Sequence, residues 1–159
     1  MKNLDDAKIG TIERELYIEA SPETVFEVVS RPEYVAQWWP DTAAYEVEVD
    51  ATGEITFGDP ASGGKAVTLT VMEVDPPNTF SFRWTHEADD EPAAGNSLFV
   101  TFALTPSGIG TLLRFTETGF REMGWEEAVC EATFNDHANG WNSFLPRLAR
   151  YAEQVVVSR

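Results

Sequence analysis

The first part of the chain changes from an alternating to a helical pattern of apolar residues. Across residues 11–19 the apolar residues are separated by charged ones, which predicts a strand. Ser21 and Pro22 follow, and these residue types favour a helix N-cap and the first helical position. That helix is expected to end at Pro32, and residues 33–38 are predicted to form a second, shorter helix.

The middle of the chain contains a series of short segments that read as strands. Glycine, proline and asparagine turns separate them at short spacing, as expected of antiparallel hairpins. The predicted strands are residues 45–49, 54–57, 65–74, 79–86, 97–105 and 111–118. Together with residues 11–19 they give a predicted sheet of about seven strands.

The last part of the chain has the period of a long amphipathic helix. Apolar residues recur at three- and four-residue steps across residues 134–155 and form one stripe along the predicted helix. Pro146 lies off that stripe, so we expect a kink there rather than an end to the helix. Gly140, beside the stripe, is expected to allow a close approach of another backbone.

Length and composition indicate one α+β domain. A chain of 159 residues with 43% apolar residues can bury a sizeable core. Residues 1–10 are expected to be a flexible N-terminus, and residues 11–159 a single domain in which an antiparallel sheet covers the long helix. Cys130 is the single cysteine, which excludes an intramolecular disulfide and a cysteine zinc site.

The chain is strongly acidic. Its 27 acidic residues against 11 Lys and Arg give a net charge of -16, which argues against nucleic acid or an anionic membrane as a partner. The charge can serve solubility, or it can form an acidic surface for a basic partner protein. Because no apolar run follows the N-terminal lysine and no segment has the length of a membrane span, we expect a cytoplasmic protein.

Two ionisable residues fall on predicted apolar faces. Strand alternation places Glu117 on the same face as Leu113 and Phe115, and His137 lies on the apolar stripe of the long helix. Apart from these two, we expect an almost charge-free interior. Each has two open interpretations. Glu117 can be a ligand-orienting group or general base at a cavity mouth, or a strand-end residue that reaches solvent; His137 can line a cavity, or be a hydrogen-bonded core residue.

Aromatic residues on the same predicted faces can either wall a cavity or fill the core. The candidate ligand-binding residues, with the two ionisable ones, are Trp38, Trp39, Phe57, Phe82, Trp84, Phe102, Phe115, Glu117, Phe134, His137, Trp141 and Phe144.

Other motifs predict no further site. Cys130 precedes His137 by a helical rise of about 10.5 Å, too far for a thiolate–imidazole pair, so we interpret it as a buried, inert thiol. The acidic run at residues 86–91 lacks the ligand spacing of a calcium loop and is read as a solvated hairpin loop. No hydrolase, zinc-protease or phosphate-loop motif occurs in the sequence, so no cofactor or metal is predicted.

Several short motifs, in their order along the chain, resemble the START-like (SRPBCC) helix-grip superfamily and its AHSA-type branch, homologues of the activator of the heat-shock-protein-90 ATPase. The resemblance covers about residues 11–155. The motifs are IEASPETVF (18–26), WWP (38–40), EVDPP (73–77), FRW (82–84), GTLL (110–113), TGF (118–120) and HANGW (137–141).

The resemblance implies a seven-stranded antiparallel sheet curled around the C-terminal helix, commonly with an apolar cavity between them. It leaves function open, since one fold serves many functions. We take binding of a small hydrophobic ligand (aromatic, acyl or lipid-like) as the leading hypothesis. The alternatives are a protein-interaction module that modulates a chaperone ATPase, and a cyclase- or dehydratase-type enzyme that uses Glu117 and His137 as acid and base.

Overall fold

The computed structural model of the chain describes residues 2–3, 10–85, 93 and 95–158. In this part of the chain, α-helices pack against one antiparallel sheet. The strands are β1 (Lys2–Asn3), β2 (Thr11–Ile18), β3 (Thr42–Ala44), β4 (Thr52–Phe57), β5 (Lys65–Asp75), β6 (Thr79–Thr85), β7 (Ser97–Ser107) and β8 (Gly110–Thr118). The helices are α1 (Pro22–Ser30), α2 (Pro32–Trp38) and α3 (Glu127–Ser158), with short 3-10 turns at Pro60–Ser62 and Arg121–Met123.

The sheet is antiparallel throughout and has the order β1-β2-β8-β7-β6-β5-β4-β3. Apolar residues pair across its centre, as Leu16 does with Leu113 and Phe102 with Phe115. Besides the two-residue β1, the described residues form seven strands, two short helices after β2 and the long C-terminal helix. The helix-grip α+β fold expected from the sequence is therefore confirmed.

Helix α3 supplies the centre of the core. Leu145, Leu148 and Ala152, at three- and four-residue steps, are completely buried, as the apolar stripe predicted. The helix begins at Glu127, earlier than the predicted start, and Cys130 is the one buried residue among its first seven. Pro146 lies inside the helix, which continues past it.

The prediction of a strand at residues 45–49 is wrong, because the strand in this part of the chain is Thr42–Ala44. The residues that pair with β4 are those just before the predicted segment: Thr42 lies opposite Thr56, and Ala44 lies opposite Glu54. Tyr45 then leaves the ladder, and its hydroxyl donates a 2.7 Å hydrogen bond to the Ser30 carbonyl at the end of α1. Alternating burial nonetheless continues through residues 43–47, which explains why the sequence pattern resembled a strand.

Arg14 corrects the expectation of an almost charge-free interior. It lies on the same face of β2 as Ile12 and Leu16, and it is 0% exposed. Its Nε donates a 2.8 Å hydrogen bond to Oδ1 of Asn142 on α3. The sequence pattern missed it because charged residues at alternate strand positions are normally taken to face solvent.

The N-terminal segment is described in part only. Lys2 and Asn3 pair with Glu15 and Arg14 as strand β1. Residues 4–9 of the predicted flexible N-terminus lie outside the described residues. The same is true of residues 86–92, which include the acidic loop and the predicted end of strand β6.

Helix α1 begins with the predicted N-cap. Ser21 has extended backbone angles, its Oγ accepts a 3.2 Å hydrogen bond from the Thr24 amide, and Pro22 occupies the first helical position.

We expect Ser21→Ala to lower the free energy of unfolding by about 1 kcal/mol, since the Thr24 amide loses its acceptor. Urea unfolding measures this. Ser143→Ala, on the exposed face of α3, is the matched control and should not destabilise; equal losses in both would contradict the capping role.

Candidate functional site

Glu117 is a completely buried carboxylate with hydrogen bonds to two tryptophans and a histidine. It lies near the end of β8 on the face of Leu113 and Phe115, as strand alternation predicted, and it is 0% exposed. Its Oε2 accepts from Nε1 of Trp84 at 2.8 Å, and its Oε1 accepts from Nε1 of Trp141 at 2.9 Å. Oε1 also lies 3.0 Å from Nδ1 of His137. Three hydrogen bonds thus offset the cost of burying the carboxylate.

Two structural elements bring these donors to Glu117. Trp84 comes from β6, on the inward face shared with Phe82, and His137 and Trp141 lie one turn apart on α3. Because an ionised carboxylate can only accept hydrogen bonds, the contact with His137 requires a proton on Nδ1. Nε2 is then the ring nitrogen through which His137 can interact with a ligand.

The pKa of His137 is raised above its ordinary value. Burial of the imidazole lowers the pKa, but the charge of Glu117 and its hydrogen bond to the ring raise it, as does the charge of Asp136. Lys65 acts in the opposite direction and lowers it. The net result favours the imidazolium form, which Glu117 stabilises as its counter-ion.

A cavity of about 240 Å³ opens beside this cluster, between the sheet and α3. Three tryptophans form much of its wall, and their rings pack on one another: the centroid of Trp39 is 5.1 Å from that of Trp84 and 5.0 Å from that of Trp141. Lys65 and Asp136 are exposed and also border the cavity. The lining residues are Trp39, Phe57, Lys65, Val67, Trp84, Thr85, Leu98, Asp136, His137, Gly140, Trp141 and Phe144.

The predicted ligand-binding residues divide into two sets. Half of them line the cavity: Trp39, Phe57, Trp84, His137, Trp141 and Phe144. The others are buried in the core around it and are not among its lining residues: Trp38, Phe82, Phe102, Phe115, Glu117 and Phe134. Glu117 therefore does not line the cavity itself. It lies behind the cavity wall and is hydrogen-bonded to three residues that do line it, Trp84, His137 and Trp141.

Several lining residues were not predicted from the sequence. Lys65 and Asp136 are exposed and carry no periodic signal, and Val67 and Leu98 are apolar residues like any in a core strand. Gly140 was expected to allow a close backbone approach. In the structure it borders the cavity instead, and a Cβ built on it would meet only the ring of Phe144, at 3.8 Å and beyond.

Cys130 lies away from the cavity. It is 6% exposed, and its Sγ lies 3.6 Å from the carbonyl oxygen of Phe120. The described residues contain no group of three or more His, Cys, Asp or Glu placed to hold a metal ion. Among the same residues, no helix has the length and hydropathy of a membrane-spanning segment.

The Glu117–His137 contact predicts a pH dependence of stability. Because the folded-state pKa of His137 is raised, the contact stabilises the fold fully below the unfolded pKa, about 6.5, and this contribution is lost as pH rises through the folded pKa. We expect wild type to exceed His137→Gln in unfolding free energy by more at pH 6 than at pH 9. Urea unfolding at both pH values measures the difference. His86→Gln removes the other histidine as a control; a difference that grows towards pH 9 would contradict the ion pair.

The sheet, the long helix and the cavity between them define this chain as a helix-grip protein with an aromatic cavity. It belongs to the family of activator of Hsp90 ATPase homolog 1-like proteins, whose model matches residues 19–153. A comparison with curated proteins found no match.

Several solved structures are similar to this chain in fold. Protein MLL2253 from Mesorhizobium loti is 21% identical, with a TM-score of 0.70 over 91% of this chain and 97% of its own. The Aha1 dimer from Colwellia psychrerythraea is 22% identical, with a TM-score of 0.69 over 90% of this chain and 96% of its own. DynU16, a protein of the dynemicin biosynthetic locus, is 25% identical, with a TM-score of 0.69 over 91% of this chain and 47% of its own.

Proposed function

We propose that this protein binds a small hydrophobic molecule, aromatic or acyl in character, in the cavity between the sheet and α3. The observation that carries the proposal is an open cavity of about 240 Å³ walled by tryptophan and phenylalanine rings. A mostly apolar concavity with a few polar groups is the usual form of a small-molecule site. Trp84, Trp141 and His137 are held by Glu117, so the wall is largely preformed.

Native mass spectrometry of the freshly purified protein tests this proposal. We expect part of the protein to carry a bound molecule, which is released on denaturation and identified by its mass. Tryptophan fluorescence gives a second readout, since three of the five tryptophans line the cavity. A protein that carries nothing, and whose fluorescence is unchanged by a panel of aromatic and acyl compounds, would refute ligand binding.

A second candidate, acid–base catalysis of a cyclase or dehydratase type, is favoured by the Glu117–His137 contact. In this arrangement His137 would exchange the proton with substrate through Nε2, and Glu117 would position the imidazole from behind. Incubation with bound compounds distinguishes the two functions. A binding protein returns them unchanged, whereas a dehydratase or cyclase returns a product of altered mass or ring number.

Two kinds of protein partner remain proposals. Modulation of a chaperone ATPase is supported by the family description alone, and a basic protein partner is supported only by the net charge of -16. A cytoplasmic location likewise stays a prediction.

A further inference from the structure

His137 presents an unused hydrogen-bonding nitrogen at the cavity. Its Nδ1 is engaged by Glu117 at 3.0 Å, and no hydrogen bond of Nε2 occurs within the described residues. The residue lines the cavity with its side chain 12% exposed. Since Nδ1 must keep its proton for the carboxylate, protonation of the ring adds the second proton at Nε2 and makes this nitrogen a donor.

The charged groups around this imidazole come from three elements. Glu117 on β8 lies behind the ring, Asp136 is its neighbour on α3, and Lys65, at the start of β5, lines the same cavity and interacts with the imidazole electrostatically. Glu117 is completely buried and bound to its three donors, so it is not available to a ligand. Lys65 and Asp136 are exposed, so water screens their charges more strongly than that of Glu117.

A neutral apolar ligand would be a poor match for this wall. It would cover the Nε2–H group and remove its water without supplying an acceptor, and an unpaired buried donor is costly. A ligand with a carboxylate at one end supplies that acceptor as a charge-assisted hydrogen bond, which is stronger than a neutral one. Lys65, an exposed cation that also lines the cavity, can pair with the second carboxylate oxygen.

We propose that the cavity selects hydrophobic organic acids, aryl or acyl carboxylates, whose carboxylate is bound by Nε2–H of His137 with Lys65 beside it at the opening. This inference rests on the proposed ligand-binding function and names its ligand class. Glu117 acts as a positioning residue, because it orients the imidazole and stabilises its charged form from behind.

The test compares two ligands that differ only in their head group, 4-phenylbutyrate and 4-phenylbutyramide. Both are titrated against tryptophan fluorescence at pH 6 and pH 9, in about 0.15 M salt to screen the long-range repulsion between the anion and an acidic protein. At pH 6 we expect the carboxylate to bind about five- to tenfold more tightly than the amide, since the amide carbonyl can accept only a neutral hydrogen bond from Nε2–H and a charge-assisted one is roughly twice as strong. The preference should shrink at pH 9, as His137 loses its second proton.

Variants separate the roles of the charged groups. His137→Gln should abolish both the preference and its pH dependence. Lys65→Gln should reduce the preference and move the midpoint of its pH dependence to higher pH, because the charge of Lys65 lowers the pKa of His137. Glu117→Gln should move the midpoint of the pH dependence to lower pH, an effect that a purely structural role would not produce. The pH series on wild type needs no variant, so a misfolded variant does not prevent the test.

Each result decides between the two proposals. Equal affinities for the two ligands at pH 6, or a preference that is the same at pH 9 or survives in His137→Gln, would overturn the organic-acid inference and leave hydrophobic binding intact. If neither ligand changes the fluorescence while other aromatic or acyl compounds do, the organic-acid inference fails alone; if no compound of the panel binds and the purified protein carries nothing, the inference and the proposed function both fail.

Discussion

Glu117→Gln is expected to lower the free energy of unfolding by about 3–5 kcal/mol, the usual cost of breaking a buried, hydrogen-bonded charge pair. The substitution keeps the size of the side chain, so no cavity forms and the effect is electrostatic. It removes the negative charge opposite His137 and replaces one acceptor oxygen with an NH₂ group. At least one of the three donors that now contact Glu117 would then face another donor.

Urea unfolding at pH 7 measures this change, and near-ultraviolet circular dichroism reports on the environments of Trp84 and Trp141. The matched control is Glu15→Gln on the neighbouring strand β2. Glu15 pairs with Arg114 at 3.2 Å near the surface, and such ion pairs contribute about 1 kcal/mol or less. If Glu117→Gln costs no more than Glu15→Gln, then Glu117 does not hold the cavity wall in the way its contacts indicate.

Gly140→Leu is expected to weaken ligand binding by roughly ten- to a hundredfold while the protein stays folded. A Cβ at Gly140 has open space around it, with the ring of Phe144 as its nearest neighbour at 3.8 Å. A leucine side chain there would project into the cavity and compete with a ligand for the same volume, and forcing both into it carries an overpacking cost of about 1–3 kcal/mol. The helix itself should gain about 0.5–1 kcal/mol, because glycine is a poor helix former.

The measurements are ligand titration by tryptophan fluorescence and urea unfolding of the same samples. Asn139→Leu, one residue earlier on an exposed position of α3, adds the same side chain outside the cavity and should leave affinity unchanged. Unchanged affinity in Gly140→Leu, with the fold intact, would show that ligands bind elsewhere and would contradict the proposed site.

Local pattern predicted much of the site's composition. The two-residue period of β8 placed Glu117 inward beside Phe115, and the helical period of α3 placed His137 and Trp141 on its inner face. The two-residue period of β2 likewise places Arg14 on the buried face of Ile12 and Leu16. The rule that charged residues face water predicts the opposite, and at Arg14 this rule is wrong. Periodicity failed at residues 45–49, where burial keeps alternating as far as residue 47 although the pairing with β4 ends at Ala44.

Periodicity along the chain therefore predicts the fold class and most of the residues that point inward, because side-chain direction follows the period of each strand or helix. Which of these inward residues meet depends on how the elements pack together. Glu117 reaches Trp84 across 33 residues of chain and Trp141 across 24, and these contacts depend on strand register and on where α3 crosses the sheet. The packing of whole elements likewise decided that a space remains beside Gly140 and that His137 borders it, since a void belongs to no single segment of the chain.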